Sequence, residues 1–481
     1  VFPEVPFLNG FCMMIRKELL ADIGYFDEEA FPVGYGEEDD FVLRARQAGW
    51  QIRWADNTYL FHAQSRSFTD KKRLELSSFG TKSLIAKHGE SIISEGCEYL
   101  MNSPIIISIR EHAKHILDRE KLINLGKKLF KDKRILFVLP IAAPGGGANV
   151  IFDEALAMIR MGVDVRVFNL EIYRQETIKG YPNLKIPVTY GKVEDLQNLL
   201  PLYDAVIATS NISVVWIKDN FPKDENPIFG YYVQDFEPLF YNPLSEDYYK
   251  AYQSYILDPF LIRFTKTEWT RLQLLENIGV DSKNIGISVD TDLFRPIKKR
   301  NDNKIRIGAM IRTFTDYRSP RLTMQVLREI SLKYADLVEI KLFGSDINDE
   351  KFKQLPWDFS WSMAGVLTRT QMVNFLNEVD IFCDFSTHQA MGLTSLEAMC
   401  CGCCVVVPQN GGSIEFINNG ENGIVVDTTS ENECFMSLCN LINSPHLIQE
   451  IKQKAIITAN NYYIENSAFR ILNVLFNNEK E

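Results

Sequence analysis

Along most of the chain, apolar residues come in short runs separated by stretches of helical period. Ile135-Leu136-Phe137-Val138-Leu139 has the length and composition of a buried strand. A glycine loop follows, then helical spacing of apolar residues from Val150 to Met161. Val165 to Phe168, Asp204 to Thr209 and Gly230 to Gln234 continue the series. A second series opens at Ile305 to Gly308 and runs through Val338 to Phe343, Asp380 to Cys383, Cys404 to Val407 and Gly423 to Val426. Strands alternating with helices of this length predict parallel sheets covered on both faces. Two such series, meeting near residues 260–300, predict an α/β protein with two facing Rossmann-like domains. Ligands of such sheets sit at the carboxyl ends of the strands, which places the expected site in the cleft between the domains.

The preceding region reads differently. Residues 1–105 hold short apolar runs and an acidic cluster. Residues 106–133 are rich in Lys and Arg, with Ile116, Leu117, Leu122, Leu125, Leu129 and Phe130 at helical spacing, and predict a basic helical linker. Two readings of it stand: a solvated connector, or a helix resting on an anionic membrane surface. The expected plan is therefore 1–105, the linker 106–133, a first Rossmann-like domain 134–300 and a second 301–481. Val1 falls in mid-pattern, so we read the chain as a piece of a longer protein.

Composition narrows the classes of function. Of 481 residues, 46% are hydrophobic and 24% charged, too apolar a mix for disorder. Lys and Arg total 52 against 63 Asp and Glu, a net charge of −11, which argues against a general nucleic-acid binder. A diphosphate-bearing ligand remains possible, because one or two placed arginines suffice for it. No apolar run approaches the roughly 20 residues that a spanning helix needs. There are nine cysteines, an odd number, and four lie in Cys400-Cys401-Gly402-Cys403-Cys404. That spacing suits half of a zinc site, but no second ligand pair accompanies it. The run leads straight into Val405-Val406-Val407, as expected of small apolar residues at a helix-to-strand junction. This cysteine usage suits a reducing, cytoplasmic setting.

Three places in the two-domain portion carry chemistry. In Pro144-Gly145-Gly146-Gly147-Ala148-Asn149, glycines at a strand-to-helix turn, Gly146 and Gly147 among them, let backbone N–H groups approach a phosphate or sugar. The alternative is a tight turn needing positive φ. The loop has neither the lysine of a P-loop nor dinucleotide-fingerprint spacing. Arg312, Arg318 and Arg321 cluster just past the Ile305–Gly308 strand, where guanidinium groups could hold a diphosphate and offset the charge that develops as it leaves. The third place is Gln389-Ala390-Met391-Gly392-Leu393-Thr394-Ser395-Leu396-Glu397-Ala398-Met399, followed by Gly402 and then Gly411-Gly412-Ser413-Ile414-Glu415.

This stretch resembles the nucleotide-sugar signature of glycosyltransferase family 4, whose members have the two-Rossmann-domain GT-B fold. The family pattern is two glutamates with seven residues between them, within E-G-F-G-L-x-x-L-E-A-M-A-x-G-x-P-V-V, then G-G-x-x-E. Val289 to Pro296 also resembles its interdomain segment. The resemblance spans residues 135–475. It implies that Glu397 holds the donor's ribose hydroxyls and that Gly392 and Leu393 offer N–H groups to the diphosphate. It implies further that Arg312 binds phosphate, that Arg318 stands where the family usually has Lys, and that Val366 and Leu367 meet the nucleobase. Gly412 belongs to the same donor set. Gln389 departs from the pattern, since the first glutamate is expected there; an amide can bond a sugar hydroxyl but cannot act as an anion.

Tyr231-Tyr232-Val233-Gln234-Asp235-Phe236-Glu237-Pro238-Leu239-Phe240-Tyr241 is similar to a segment of bacterial rhamnosyltransferases that build surface glycans such as S-layer and O-antigen. The similarity implies transfer of L-rhamnose from dTDP-L-rhamnose with retention, without a metal or other cofactor, to a glycan or lipid-linked glycan acceptor. It also implies a cytoplasmic location, with peripheral contact at the inner face of the membrane. Asp235 and Glu237 follow a strand end and either contact sugar hydroxyls, or cap a helix or pair with Arg.

In the first region, Gly10, Ile23 to Asp27, Gly34 to Arg44 with its run Glu37-Glu38-Asp39-Asp40, and His62 resemble the carboxyl half of glycosyltransferase family 2, fold GT-A. That resemblance implies Glu38 as the base that deprotonates an acceptor hydroxyl, with Glu37 and Asp39 as alternatives. His62 would be a ligand of a divalent cation, Mg or Mn, in an intact domain whose D-x-D half lies upstream. The plain alternative for the acids is a helix N-terminus. Two rival functions remain for the whole chain: a GT-B-fold sugar-nucleotide epimerase, and a non-catalytic glycan-binding or scaffold module.

Overall fold

The computed structural model describes residues 2–62, 69–222, 227–297 and 304–477. It divides into two compact units, Val1–Ala113 and Lys114–Glu481.

In the second unit, seven strands form one parallel sheet: β1 Arg134–Val138, β2 Asp164–Leu170, β3 Val188–Gly191, β4 Ala205–Ala208, β5 Ile228–Val233, β6 Ile262–Thr265 and β7 Lys283–Asn284. Six more form a second parallel sheet: β8 Ile305–Met310, β9 Val338–Phe343, β10 Ser362–Met363, β11 Ile381–Cys383, β12 Cys404–Pro408 and β13 Ile424–Val426. The orders are β3-β2-β1-β4-β5-β6-β7 and β10-β9-β8-β11-β12-β13. Each is doubly wound, so its switch point lies between β1 and β4 or between β8 and β11. The fold is therefore α/β with two Rossmann-like domains, as the alternating pattern predicts. The expected domain boundary at 300/301 lies outside the described residues.

Every strand anticipated from an apolar run is present. The four that the pattern missed are β3, β6, β7 and β10. These have two to four residues, and β3, β7 and β10 are half-buried or exposed. A strand with one wet face and so few residues leaves no continuous apolar run to read. By contrast β4, Ala-Val-Ile-Ala, is buried throughout because helices cover both faces.

The last helix, Ile464–Phe476, returns to the first sheet. Its Phe469 ring meets Phe130 edge-on at 5.8 Å, and a side chain added at Gly230 of β5 would touch Leu475. Arg119 braces the same region, donating Nε to Glu465 Oε2 at 3.0 Å and Nη2 to Asp292 Oδ2 at 2.8 Å. The expected basic linker is a helix, Pro104–Phe130, in which Arg119, Ile123 and Phe130 are buried while Leu117, Leu125 and Leu129 are exposed.

The first unit is helical where an α/β fragment was expected. Its helices are Lys17–Ile23, Glu37–Gln47, Asp70–His88, Glu90–Asn102 and the start of Pro104–Phe130. Among its described residues the only β pairing is an antiparallel bridge between Glu4 and Arg53. An extended segment with no neighbouring ladder to join forms no strand.

Candidate functional site

A cleft opens at the carboxyl ends of both sheets. Gly145, Gly146 and Asn149, after β1, line one side; Arg312, after β8, and Val366 to Arg369, after β10, line the other with Leu393, Thr394 and Glu397. The glycine loop starts its helix at Gly146 rather than Val150, so Gly146 and Gly147 are the first residues of Gly146–Arg160. Their amides are among those a helix leaves without an internal acceptor. Gly147 lies so close to Gln234 that a Cβ would come within 2.8 Å of its Oε1. Gly146 faces Leu393 across the cleft.

Arg312 is exposed in this cleft and forms no ion pair with any described residue. Recession into the cleft lowers its guanidinium's pKa, and the neighbouring Arg318 lowers it further. Arg318 lies over the Tyr317 ring at 5.1 Å. Two cations held near each other, neither of them in an ion pair with a described residue, are arranged for an anion. The short helix Leu393–Cys400 adds its N-terminal amides to the same wall. Gly392 caps it at φ 80°, a left-handed conformation, and a Cβ there would collide with the buried Ser413 hydroxyl. Only glycine meets both demands.

Glu397 is one helical turn beyond Leu393 and lines the floor of the cleft. Burial pushes its carboxyl up to about 8; Arg369 opposes this, and Asp153 and Asp290 add to it. Arg369 opens the helix Arg369–Asn377 and forks the Asp153 carboxylate, with Nη2 2.8 Å from Oδ2 and Nη1 bonded to Oδ1. Asp290 Oδ2 is 3.8 Å away. Burial raises Asp153 to about 7 against the pull of Arg369.

Of the remaining residues singled out in the sequence, Val366 and Leu367 line this cleft, whereas Gln389, Gly412, Asp235 and Glu237 are not among its lining residues. Val366 is 63% exposed at the rim, and Leu367 is half-buried beside it. Gln389 is buried, its Nε2 donating to Asp384 Oδ2 and to Ser386 Oγ. Gly412 N donates to Gln389 O at 2.7 Å, and a Cβ at Gly412 would strike Ala390 O, so this glycine supports the 389–390 backbone. Asp235 is half-buried; burial raises its carboxyl to about 6, with Arg318 opposing. Glu237 accepts Asn211 N at 2.9 Å and Tyr231 OH at 2.7 Å, which places it at the start of the helix Asn211–Asp219. Its capping alternative is thus present as geometry.

Sequence reasoning missed Arg369 and Asp153. The available signal was an arginine just after Thr368, at a helix start and next to the anticipated nucleobase contacts. Two buried polar atoms of the cleft wall, Asn149 Oδ1 and Arg369 Nε, have no hydrogen-bond partner among the described residues. Buried polar atoms are rarely left so, which marks this as a place where a ligand's polar groups belong.

In the first unit, Glu37, Glu38 and Asp39 open the helix Glu37–Gln47. Gly10 lies against the Glu38 side chain, and one oxygen each of Glu37 and Glu38 is buried without a partner. Burial, with the charges of Glu38 and Glu37, raises Asp39 to about 7. Asp40 serves the fold, bonded to Arg44, Lys87 and His88. His62 is exposed and stacks on Phe11 at 3.9 Å. Among the described residues no group of three or more His, Cys, Asp or Glu could hold a metal ion, so His62 and these acids as they stand do not fit a divalent cation. The buried Cys403 thiol instead donates to Leu376 O and Val379 O.

The family model for Glycosyl transferases group 1 matches residues 360–458. A sucrose synthase of Melioribacter roseus is 23% identical over 185 residues, 38% of this chain. The chain spans about a fifth (21%) of that relative's length. Among solved structures, Anabaena HepE in complex with UDP and glucose superposes with a TM-score of 0.60 at 17% identity, over 71% of this chain and 99% of that one. Sucrose-phosphate synthase from Thermosynechococcus elongatus gives 0.58 at 13% identity, over 70% and 97%. A glycosyltransferase from Rickettsia africae gives 0.57 at 17% identity, over 72% and 100%. Residues 360–458 thus carry a glycosyl transferases group 1 domain, within an α/β protein whose two Rossmann-like domains share the GT-B architecture.

Proposed function

We propose that the second unit transfers a glycosyl group from a nucleoside diphosphate sugar bound in the cleft. One observation carries this reading: Arg312, the helix N-terminus at Gly392–Leu393 and the buried Glu397 converge on a single cleft between the sheets. Arg312, Arg318 and the helix amides neutralise the departing diphosphate, a task that needs fixed positive charge rather than a metal. Glu397 takes the ribose hydroxyls, Val366 and Leu367 meet the base, and Gln389 and Asp235 lie toward the transferred sugar.

The donor we propose is dTDP-L-rhamnose, transferred with retention to a glycan or lipid-linked glycan of a bacterial surface; the similarity of residues 231–241 supports it. A UDP-sugar is the second reading. HepE is seen with UDP, and a carboxylate at Glu397 can accept two hydrogen bonds from ribose but one from deoxyribose. No helix among the described residues is long and apolar enough to cross a membrane. The exposed Leu117, Leu125 and Leu129, interspersed with Lys121 and Lys128, support peripheral contact at the cytoplasmic face of an anionic membrane. For the first unit we propose a GT-A-type base at Glu38; its place against Gly10 supports this.

Incubating the full chain with dTDP-, UDP- and GDP-sugars, with and without acceptor glycan, tests the reading. Acceptor-dependent release of nucleoside diphosphate is the expected result. Conversion of the donor into an epimeric nucleotide sugar without an acceptor points to an epimerase, and absence of nucleotide binding to a glycan-binding or scaffold module.

A further inference from the structure

Arg369 occupies an unusual position in the cleft. Both terminal nitrogens are committed to Asp153, which belongs to the helix Gly146–Arg160 of the facing domain. Its guanidinium lies over the Phe294 ring at 5.7 Å. Pinned along one edge by a carboxylate and on one face by an aromatic ring, the group has little freedom to turn. Its third nitrogen, Nε, is buried, and its N–H bonds to no described residue. An unmet donor on a charged group is costly to bury, and a cost of this kind at a cleft wall is relieved when a ligand supplies the acceptor.

The neighbours of Arg369 say which part of a ligand that is. Val366 and Leu367 precede it on the same loop, and Glu397 shares the floor of the cleft with it. Arg312 and the Leu393 helix start, the anion-binding elements, are separate parts of the wall. Three acids, Asp153, Asp290 and Glu397, surround the one guanidinium, so its positive charge is already balanced and a further phosphate is not what it calls for.

Resting on the proposed function, we infer that Arg369 is a donor-binding residue whose Nε–H bonds an oxygen of the nucleoside half of the nucleotide, with Asp153 and Phe294 holding it in place. Asp153 is then a positioning residue contributed by the opposite domain.

Calorimetric titration of the full chain with UDP, dTDP and inorganic pyrophosphate tests this, comparing native protein with Arg369→Lys and Arg369→Ala. Lysine keeps a cation opposite Asp153 but removes the donor at Nε, so the variant folds without unpairing the carboxylate. Both variants are expected to lose roughly ten-fold or more in affinity for the nucleotide that the native chain binds, the scale of one hydrogen bond from a charged donor. Pyrophosphate affinity is expected to stay within about two-fold, because Arg369 is not part of the phosphate wall. Unchanged nucleotide affinity in Arg369→Lys overturns the inference and leaves the proposed function intact. Equal losses for nucleotide and pyrophosphate also overturn it, since they mean a general distortion of the cleft. If the native chain binds neither nucleotide, the proposed function has failed and the inference falls with it.

Discussion

The side chain of Gln389 is tied to that of Asp384: its Nε2 donates to Asp384 Oδ2, while Ser386 N and Oγ donate to Oδ1 of the same carboxylate. Both residues are buried. A glutamate at 389 would bring a second carboxylate against the first.

Gln389→Glu is therefore expected to destabilise the chain. Two carboxylates at hydrogen-bond distance cannot both be ionised, so one must take up a proton. The lost bond and the buried charge together cost about 1–3 kcal/mol. Asp384→Asn added to Gln389→Glu restores an amide–carboxylate pair with the roles exchanged and recovers most of that loss. Urea unfolding near pH 8 measures both variants; a single variant as stable as the native chain contradicts the pairing.

Arg312→Ala is expected to abolish transfer with little effect on folding. Its guanidinium has no ion pair among the described residues to lose, so the unfolding midpoint stays near that of the native chain. Removing a preorganised donor to developing charge typically costs about 10²–10³ in kcat. Initial rates at saturating donor check this, and an undiminished rate removes Arg312 from the reaction.

Glu397 gives a pH signature of definite sign. Its carboxyl is held near 8 by burial and by Asp153 and Asp290, with Arg369 opposing, and Cys400 is the buried thiol beside it. The folded chain keeps a proton there that the unfolded chain releases near its ordinary 4.5. Glu397's contribution to stability is thus full below that ordinary value and is lost as pH rises through about 8. Nucleotide binding runs the other way, strengthening as pH rises toward 8, because the ionised carboxylate accepts both ribose hydroxyls. Glu397→Gln should flatten both profiles, followed by thermal melting and by titration with UDP between pH 6 and 9.

Most of this architecture was legible because buried parallel strands are written as continuous apolar runs, as in Leu136-Phe137-Val138 and Cys404-Val405-Val406. The wall at the Leu393 helix was legible in the same way, since Gly392 and Glu397 are tied to the chain by local geometry: a left-handed cap and a helical turn. Asp153 and Arg369 were not. They lie 216 residues apart, and each on its own reads as a surface charge. The Gln389–Asp384 bond escaped notice for a different reason. The sequence shows an amide where an acid was expected, but not the acid five residues earlier that makes the amide fit. In the first unit, the acidic run showed where a helix begins without showing that Asp40 alone among the four acids pairs with Arg44, Lys87 and His88.

Lys266 and Glu154 supply the clearest stability test. Both are buried, and the ammonium donates to Glu154 Oε1, to Ser288 Oγ at 2.6 Å and to Ser467 Oγ at 3.2 Å. The network joins the helix Gly146–Arg160, the residue after β6 and the helix Ile464–Phe476, so it fastens the end of the chain to the first sheet. Burial works against the charge on Lys266, and Glu154 supports it. Lys266→Met leaves a buried carboxylate without its cation and should cost about 3–5 kcal/mol. Adding Glu154→Leu removes the stranded charge along with its partner, and an apolar pair of similar volume is often neutral or better. The double variant is therefore expected to be more stable than the single one in guanidinium unfolding. A double variant no better than Lys266→Met means that the hydroxyls of Ser288 and Ser467, rather than the ion pair, carry the junction.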